Sequence, residues 1–418
     1  MIKDLDNIGN VSITKLIKKY GTPAYIYDYN MIEESYNKIY DAFYSKYNNF
    51  KLCYSTKVNN NLAILKILYN LGSGFDCSSK GEIYLINKLG DDKFIGYNGN
   101  YNNIDELRFS IKNKVNLIIL DDISLINKLK IIKPDVDIIY GFRINYNMSL
   151  IKGISLSGND SKFGISEKEI IIAYKKLKSL GIKKFAIHAM LGSNMLNFNY
   201  FELITEMLMK SIIKIKKILK IDVNYIDIGG GFGISYNNTK DLDINRTAKK
   251  VTDTIYKYVK LNNLKLPTLI IEPGRFILGH SGYLIGKVDL IKKRNNKIFI
   301  GTDISINSIL RIPLFKAKHN ISIFRNNKTK KQEKVNICGK ICWDGDIWLK
   351  NIKIPKVNIN DIIILHDVGA YGYIHSNQFN TRQKPCEVLI FKNKSYLIRE
   401  RDRLSEFDRL VILPKFLK

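Results

Sequence analysis

Between residues 50 and 272, short apolar or β-branched runs alternate with longer stretches whose apolar positions recur three and four apart. The first pattern is that of a buried strand and the second that of an amphipathic helix. Strands are expected at 51–54, 74–77, 94–97, 116–120, 137–144, 184–189, 224–228 and 269–272. Helices are expected between them, for example at 59–71, 81–89, 104–112, 166–180 and 200–219. Eight such alternations over one domain's length predict an α/β fold, a (β/α)8 TIM barrel with its functional residues at the C-terminal strand ends. An open doubly wound sheet has the same alternation, and strand count alone does not separate the two. Past residue 276 the helical period disappears and strand patterns follow at 283–290, 297–302, 335–341, 361–365, 387–391 and 396–398. The expected organisation is a barrel over 33–275, then a C-terminal all-β domain, barrel or sandwich, over 276–418. That second domain would include a strand at 24–27 from the N-terminal segment 1–32.

Several expected strand ends carry polar residues or glycine. Strand one leads into Tyr54-Ser55-Thr56-Lys57, strand two delivers Asp76, and strand five Arg143. Strand six carries His188 and the turn Leu191-Gly192-Ser193-Asn194. Strand seven enters Gly229-Gly230-Gly231-Phe232-Gly233, and strand eight ends in Glu272-Pro273-Gly274-Arg275. A lysine at a strand end can be desolvated and form a Schiff base, and glycine runs let backbone amides approach a phosphate. A dinucleotide fingerprint does not fit the glycine run, because position 234 is Ile.

In order and spacing these motifs resemble the fold-type III (alanine-racemase-like) pyridoxal-phosphate decarboxylases, the group that contains diaminopimelate and ornithine decarboxylases. The likeness covers nearly the whole chain. It runs through Gly21–Asp28, the Lys57 segment, Gly74–Ser79, Ser161-Lys162-Phe163-Gly164, Gly229–Gly233 and Glu272–Arg275. It continues through Gly339-Lys340-Ile341-Cys342 with Asp346, Gly369-Ala370-Tyr371-Gly372 and Asn380-Thr381-Arg382.

The resemblance implies pyridoxal 5'-phosphate as cofactor, which delocalises the carbanion left at Cα when CO2 departs. It implies Lys57 as the lysine that holds the cofactor and Glu272 as the partner of its ring nitrogen. The phosphate would lie on Gly231 and its neighbours, with Ser193, Gly274 and Arg275 assisting, and Asp76, His188 and Tyr371 would line the cofactor site. Cys342 is implied as proton donor, reaching the site from the neighbouring subunit of a homodimer with shared active sites. Arg311 matches the arginine that holds the substrate's distal group, with Arg275, Phe315, Trp343 and Tyr371 around the substrate.

Three positions depart from the family pattern. Met190 stands where a histidine stacks on the cofactor, Trp343 where diaminopimelate decarboxylases carry Glu, and Phe315 where they carry Tyr. The implied reaction is decarboxylation of meso-2,6-diaminopimelate to L-lysine and CO2, in lysine biosynthesis. The alternative is another amino acid such as ornithine, lysine, arginine or a polyamine or siderophore precursor. A racemase lacks support because racemases use no such cysteine loop. Joint retention of Lys57, Glu272 and Cys342 argues against a binding-only relative.

Composition changes this picture little. The net charge of +28 is spread through helices and loops, so a nucleic-acid partner is not expected. The one dense run, 325–331, reads as an exposed hairpin loop. The five cysteines include no CxxC pair, which indicates neither a disulfide framework nor a zinc or other metal site. Neither a signal-peptide core nor an apolar run of about 18 residues is present, so a cytoplasmic protein without a membrane partner is expected.

Overall fold

The structure is a computed structural model that describes residues 3–146, 156–158, 160–236, 239–325, 329 and 331–417. The chain forms two compact units, one of Glu33–Ile277 and the other of Met1–Ile32 with Leu278–Lys418.

The first unit is a closed parallel barrel. Its strands are β1 (Phe50–Ser55), β2 (Gly74–Cys77), β3 (Ile95–Tyr97), β4 (Leu117–Leu120), β5 (Ile139–Asn145), β6 (Phe185–His188), β7 (Tyr225–Asp227) and β8 (Thr268–Ile271). Each pairs in parallel with the next, and β8 returns to β1 with Ile270 opposite Lys51. That last pairing excludes the open sheet. A two-residue strand, Ile165–Ser166, adds to the end of β5.

Helices follow the strands as α1 (Leu62–Asn70), α2 (Lys80–Ile86), α3 (Ile104–Lys112), α4 (Leu125–Ile132), α5 (Ile170–Lys178), α6 (Phe198–Leu219) and α7 (Ile244–Asn262). Their starts are set by polar caps that occupy otherwise orphan amides. Asn61 accepts from Ala63 N, Ser79 from Glu82 N and Asp243 from Arg246 N. Asn103 and Glu106 cap each other reciprocally. The stretch expected as one helix at 166–180 is instead a 3-10 turn, Glu167–Glu169, leading into α5.

An apolar cluster of Cys53, Leu117, Ile119, Ile139, Ala186 and Ile270 gathers from five strands, with Phe94 and Tyr225 packed against it. Side chains two apart on a strand share a face. Stepping two residues toward each C-terminal end therefore carries this face from apolar to polar. Cys53 leads to Ser55, Ile119 to Asp121, Ala186 to His188, Tyr225 to Asp227 and Ile270 to Glu272. By the same step Gly74 leads to Asp76, Gly96 to Asn98 and Gly141 to Arg143. The pleat thus stacks a ring of polar side chains on an apolar floor.

The second unit is built on the 13-residue strand Gly282–Arg294. Its first half lies between Ala24–Asp28 and Ile362–Leu365, antiparallel to both, and its second half forms a hairpin with Lys297–Thr302. Cys386–Phe391 and Lys394–Arg399 extend one side; Ile321–Phe324 and Lys3–Asp4 extend another. Beyond Lys297–Thr302 come Gln332–Cys338 and Ile347–Pro355. Ala24, Ile26, Ile285, Ile362, Ile364, Val388 and Ile390 form its core with Ile13 and Leu16 of the helix Ile13–Tyr20. That helix and Arg311–Phe315 make the unit mostly rather than wholly β.

The expectation for 325–331 requires correction. The strands on either side, Ile321–Phe324 and Gln332–Cys338, pair with other partners rather than with each other. Arg325 is buried, its guanidinium clamped to Asp4 at 3.0 Å. The remainder of the run, residues 326–328 and 330, lies outside the described residues.

Candidate active site

The polar ring of the barrel brings together most of the residues singled out in its sequence. Lys57 lies in the 3-10 turn Thr56–Val58 directly after β1, and its Nζ donates to Asp76 Oδ2 at 2.7 Å. Asp76 is buried while the lysine side chain is about one-third exposed. Burial and the nearby Glu272 raise the Asp76 carboxyl, and Lys57 opposes them. Glu82, in the first turn of α2, accepts from Ser78 N at 2.6 Å. Burial nevertheless pushes its carboxyl up to about 7, against the Ser78 hydrogen bond and Lys57.

Glu272 is buried, with its backbone N–H on Gly229 O at 2.9 Å and its carbonyl accepting from Ser55 Oγ at 2.9 Å. Its Oε2 has no hydrogen-bond partner; the nearest cation candidate is His188 Nε2 at 3.6 Å. Burial alone would raise this carboxyl, but His188, Lys57 and Asp227 hold it low. Fully buried His188 also meets Asn98 Nδ2 at 3.4 Å. Arg143 donates to Met190 O at 3.2 Å and lies over the Phe163 ring at 4.2 Å. Burial lowers its guanidinium, while Asp121, Glu272 and Asp76 act to raise it.

The glycine run forms a cradle next to this ring. Gly229 and Gly231 have φ of 66° and 91°, which disfavours any side chain. A Cβ on Gly230 would stand 2.5 Å from Glu272 O, and one on Gly231 2.7 Å from Gly192 O. The turn carrying Ser193 therefore packs on the cradle, with Met195 N donating to Gly231 O at 2.8 Å. Arg275 bridges Ser193 Oγ at 3.3 Å and Tyr236 Oη at 2.7 Å. Gly274 leaves room for the Val58 side chain, which would otherwise clash with it.

The remaining candidates belong to the second unit. Arg311 is buried and donates to Ala370 O at 3.2 Å. Tyr371, next in the chain, has φ 58°, uncommon for a bulky residue, and its ring stacks on His375 at 5.8 Å. Phe315 reaches the same His375 at 5.8 Å. Cys342 and Trp343 are exposed on a loop tied down by Asp346, which accepts from Ile306 N and Ile341 N, both at 2.8 Å. Cys342 N donates to Asn380 Oδ1 at 2.8 Å.

Sequence reasoning passed over Asn98, Asp121, Asp227 and Tyr236. The first three follow an apolar residue or glycine by two positions at a barrel strand end, the same signal that carried Asp76, His188 and Glu272. Tyr236 had no comparable signal.

The family model for the pyridoxal binding domain of pyridoxal-dependent decarboxylases matches residues 31–279. Diaminopimelate decarboxylase of Methanothermobacter thermautotrophicus is 33% identical, over 96% of this chain and 94% of its own length. That of Helicobacter pylori J99 is 32% identical, over 95% and 97%. The crystal structure of diaminopimelate decarboxylase from Methanocaldococcus jannaschii superposes with a TM-score of 0.89 at 29% identity, covering 97% of this chain and 96% of that one. A Helicobacter pylori diaminopimelate decarboxylase crystallised with L-lysine gives 0.87 at 28%, covering 95% and 98%. Barrel, polar ring and glycine cradle thus coincide with a family match over more than half the chain, and the chain belongs to the pyridoxal-dependent decarboxylases.

Proposed function

We propose that this enzyme decarboxylates meso-2,6-diaminopimelate, releasing L-lysine and CO2. The observation that carries the reading is the full-length likeness to relatives of that name, at or above 30% identity and through both units. Arg311 adds a chemical reason. A guanidinium can grip a distal carboxylate through two parallel hydrogen bonds, which diaminopimelate offers and ornithine or lysine does not. Trp343 and Phe315 favour the second reading, a different amino acid, because they remove polar contacts expected around the distal amino group.

The residues of the barrel fit pyridoxal phosphate. A lysine at a strand end, a buried carboxylate oxygen with no partner, and a glycine cradle that a Cβ would fill match the needs of its aldehyde, ring nitrogen and phosphate. When bound, the cofactor supplies the electron sink for the carbanion left by CO2. Lys57 would hold it, Glu272 would keep a proton on its ring nitrogen, and Gly231, Ser193, Gly274 and Arg275 would take its phosphate. Asp76 would orient Lys57, while His188, Met190 and Tyr371 would border the cofactor. Cys342 would return a proton to Cα, a role served by its exposure.

We further infer a homodimer with shared sites, Cys342 coming from the partner. Exposed apolar side chains at Leu410, Val411, Ile412, Leu413, Phe416 and Leu417 support such an association. Among the described residues no helix is long and apolar enough to cross a membrane. All five cysteines are free, which suits a reducing, cytoplasmic compartment.

The test is CO2 release from a panel of amino acids with added cofactor, products identified by mass, together with borohydride reduction and peptide mapping. Lysine from diaminopimelate and a phosphopyridoxyl mass on the Lys57 peptide are expected. A label on another lysine, or preference for another substrate, overturns the corresponding assignment.

A further inference from the structure

The polar ring holds more carboxyl groups than cations. Asp76, Asp121, Asp227 and Glu272 are all buried there, against Lys57 and Arg143. Lys57 pairs with Asp76, and Asp121 accepts from Gly164 N. Asp227 is different: it is completely buried and makes no ion pair with a described residue. Its Oδ1 accepts from Gly229 N at 2.8 Å, and its Oδ2 is buried with no hydrogen-bond partner. Glu272, whose Oε2 is in the same state, hangs from the carbonyl of that same Gly229. One side-chain atom each of Asp227, Glu272 and His188 lies within 4.8 Å of the others. Two carboxylates at that separation, away from water, do not both stay ionised.

We propose that Asp227 is a positioning residue that holds a proton and presents it to the Glu272 carboxylate, so that the negative charge of the pair stays on Glu272. The division follows from the surroundings. Glu272 has His188 at 3.6 Å. Asp227, opposite His188 on the neighbouring strand and within 4.8 Å of it, forms no ion pair with it. It faces Glu272, the Gly229 amide and the further negative charge of Asp76. Burial first, then Glu272, push the Asp227 carboxyl well up, and the Gly229 amide opposes them. The same arrangement keeps Glu272 from taking up a proton itself, which matters because the inference rests on Glu272 facing the cofactor's ring nitrogen. No bond is made or broken; one proton is shared between two oxygens.

Asparagine mimics this state, being neutral with one acceptor oxygen and a donor on the other atom. Its Oδ1 can accept from Gly229 N, and its Nδ2 can donate to Glu272. Asp227→Asn should therefore leave the acid limb of kcat/KM unmoved. Asp227→Ala removes the donor, so Glu272 should protonate more easily and the acid limb should move up by ~1–2 pH units. Infrared difference spectra of the cofactor-free protein at neutral pH supply a readout independent of turnover. The carbonyl stretch of one protonated carboxyl should be present in wild type and lost in Asp227→Asn. If no such band is lost, or if Asp227→Asn shifts the acid limb as Asp227→Ala does, the proposal is overturned. Should Asp227→Ala fail to fold, the band and the Asp227→Asn profile still decide. A lost band with an unmoved limb in Asp227→Ala would instead count against Glu272 facing the ring nitrogen.

Discussion

Truncation of Arg311 separates the contact the structure shows for this side chain from the role proposed for it. The first is local. Arg311 is buried and donates to Ala370 O at 3.2 Å, just before Tyr371, which sits at a left-handed φ of 58°. That backbone costs ~1–2 kcal/mol and persists only while its surroundings hold it. A hydrogen bond from a charged group contributes ~1.5–3 kcal/mol, so Arg311→Ala should loosen the Tyr371 turn for every substrate alike. The second, proposed role, gripping a distal carboxylate, would concern diaminopimelate alone and would be worth another ~1.5–3 kcal/mol, or about 10- to 150-fold. The two are separated by a ratio. With diaminopimelate and ornithine mixed in one tube, the lysine-to-putrescine ratio reports relative kcat/KM directly, and the shared loss cancels. Arg311→Ala should shift that ratio toward putrescine by about 10- to 150-fold. A fall in both activities with an unchanged ratio would refute the carboxylate argument and leave Arg311 as a support for the turn.

Two further outcomes are expected. Mixing Lys57→Ala with Cys342→Ala subunits should restore turnover at one of the two sites in each heterodimer; no recovery, with subunit exchange confirmed, would count against shared sites. Glu82 should make stability pH-dependent, because its folded carboxyl sits at about 7 against 4.5 ordinarily. Between those values the folded state holds a proton that the unfolded chain has released, so stability should fall as pH rises through that window and level off above it. The fall is about 3 kcal/mol, and Glu82→Gln should abolish it in urea midpoints compared at pH 5 and pH 8.

The barrel was legible because parallel strands buried on both faces read as uninterrupted apolar runs. Closure was not, since the pairing of Ile270 with Lys51 joins segments more than 200 residues apart and leaves no local mark. In the second unit, Ile347–Pro355 escaped notice. Lys350, Asn351 and Lys353 break its apolar pattern, and Asn351 takes a left-handed φ of 53° that suggests a turn. Ile321–Phe324 is simply short. Arg325 departed from the expectation for a different reason: a dense basic run usually marks solvent, but buried Arg325 has an ion-pair partner in Asp4, 321 positions away.

The site was legible where residue type and position reinforced each other, as for Lys57, Asp76 and Glu272. Asp227 shared their spacing yet was passed over, because an aspartate before three glycines also reads as an ordinary turn residue. Its meaning comes from three dimensions. β7 and β8 pair in parallel with Asp227 opposite Ile270, so Glu272, two residues on, shares its face of the barrel. The glycine run then turns back, and Gly229 takes up both the Glu272 amide and, through its own N–H, the Asp227 carboxyl. A single residue thereby fixes two acids at a separation that neither chain segment specifies alone. Spacing along a strand predicts which side chains enter the barrel; the pairing of neighbouring strands and the turn at Gly229 decide which of them come close enough to share a proton.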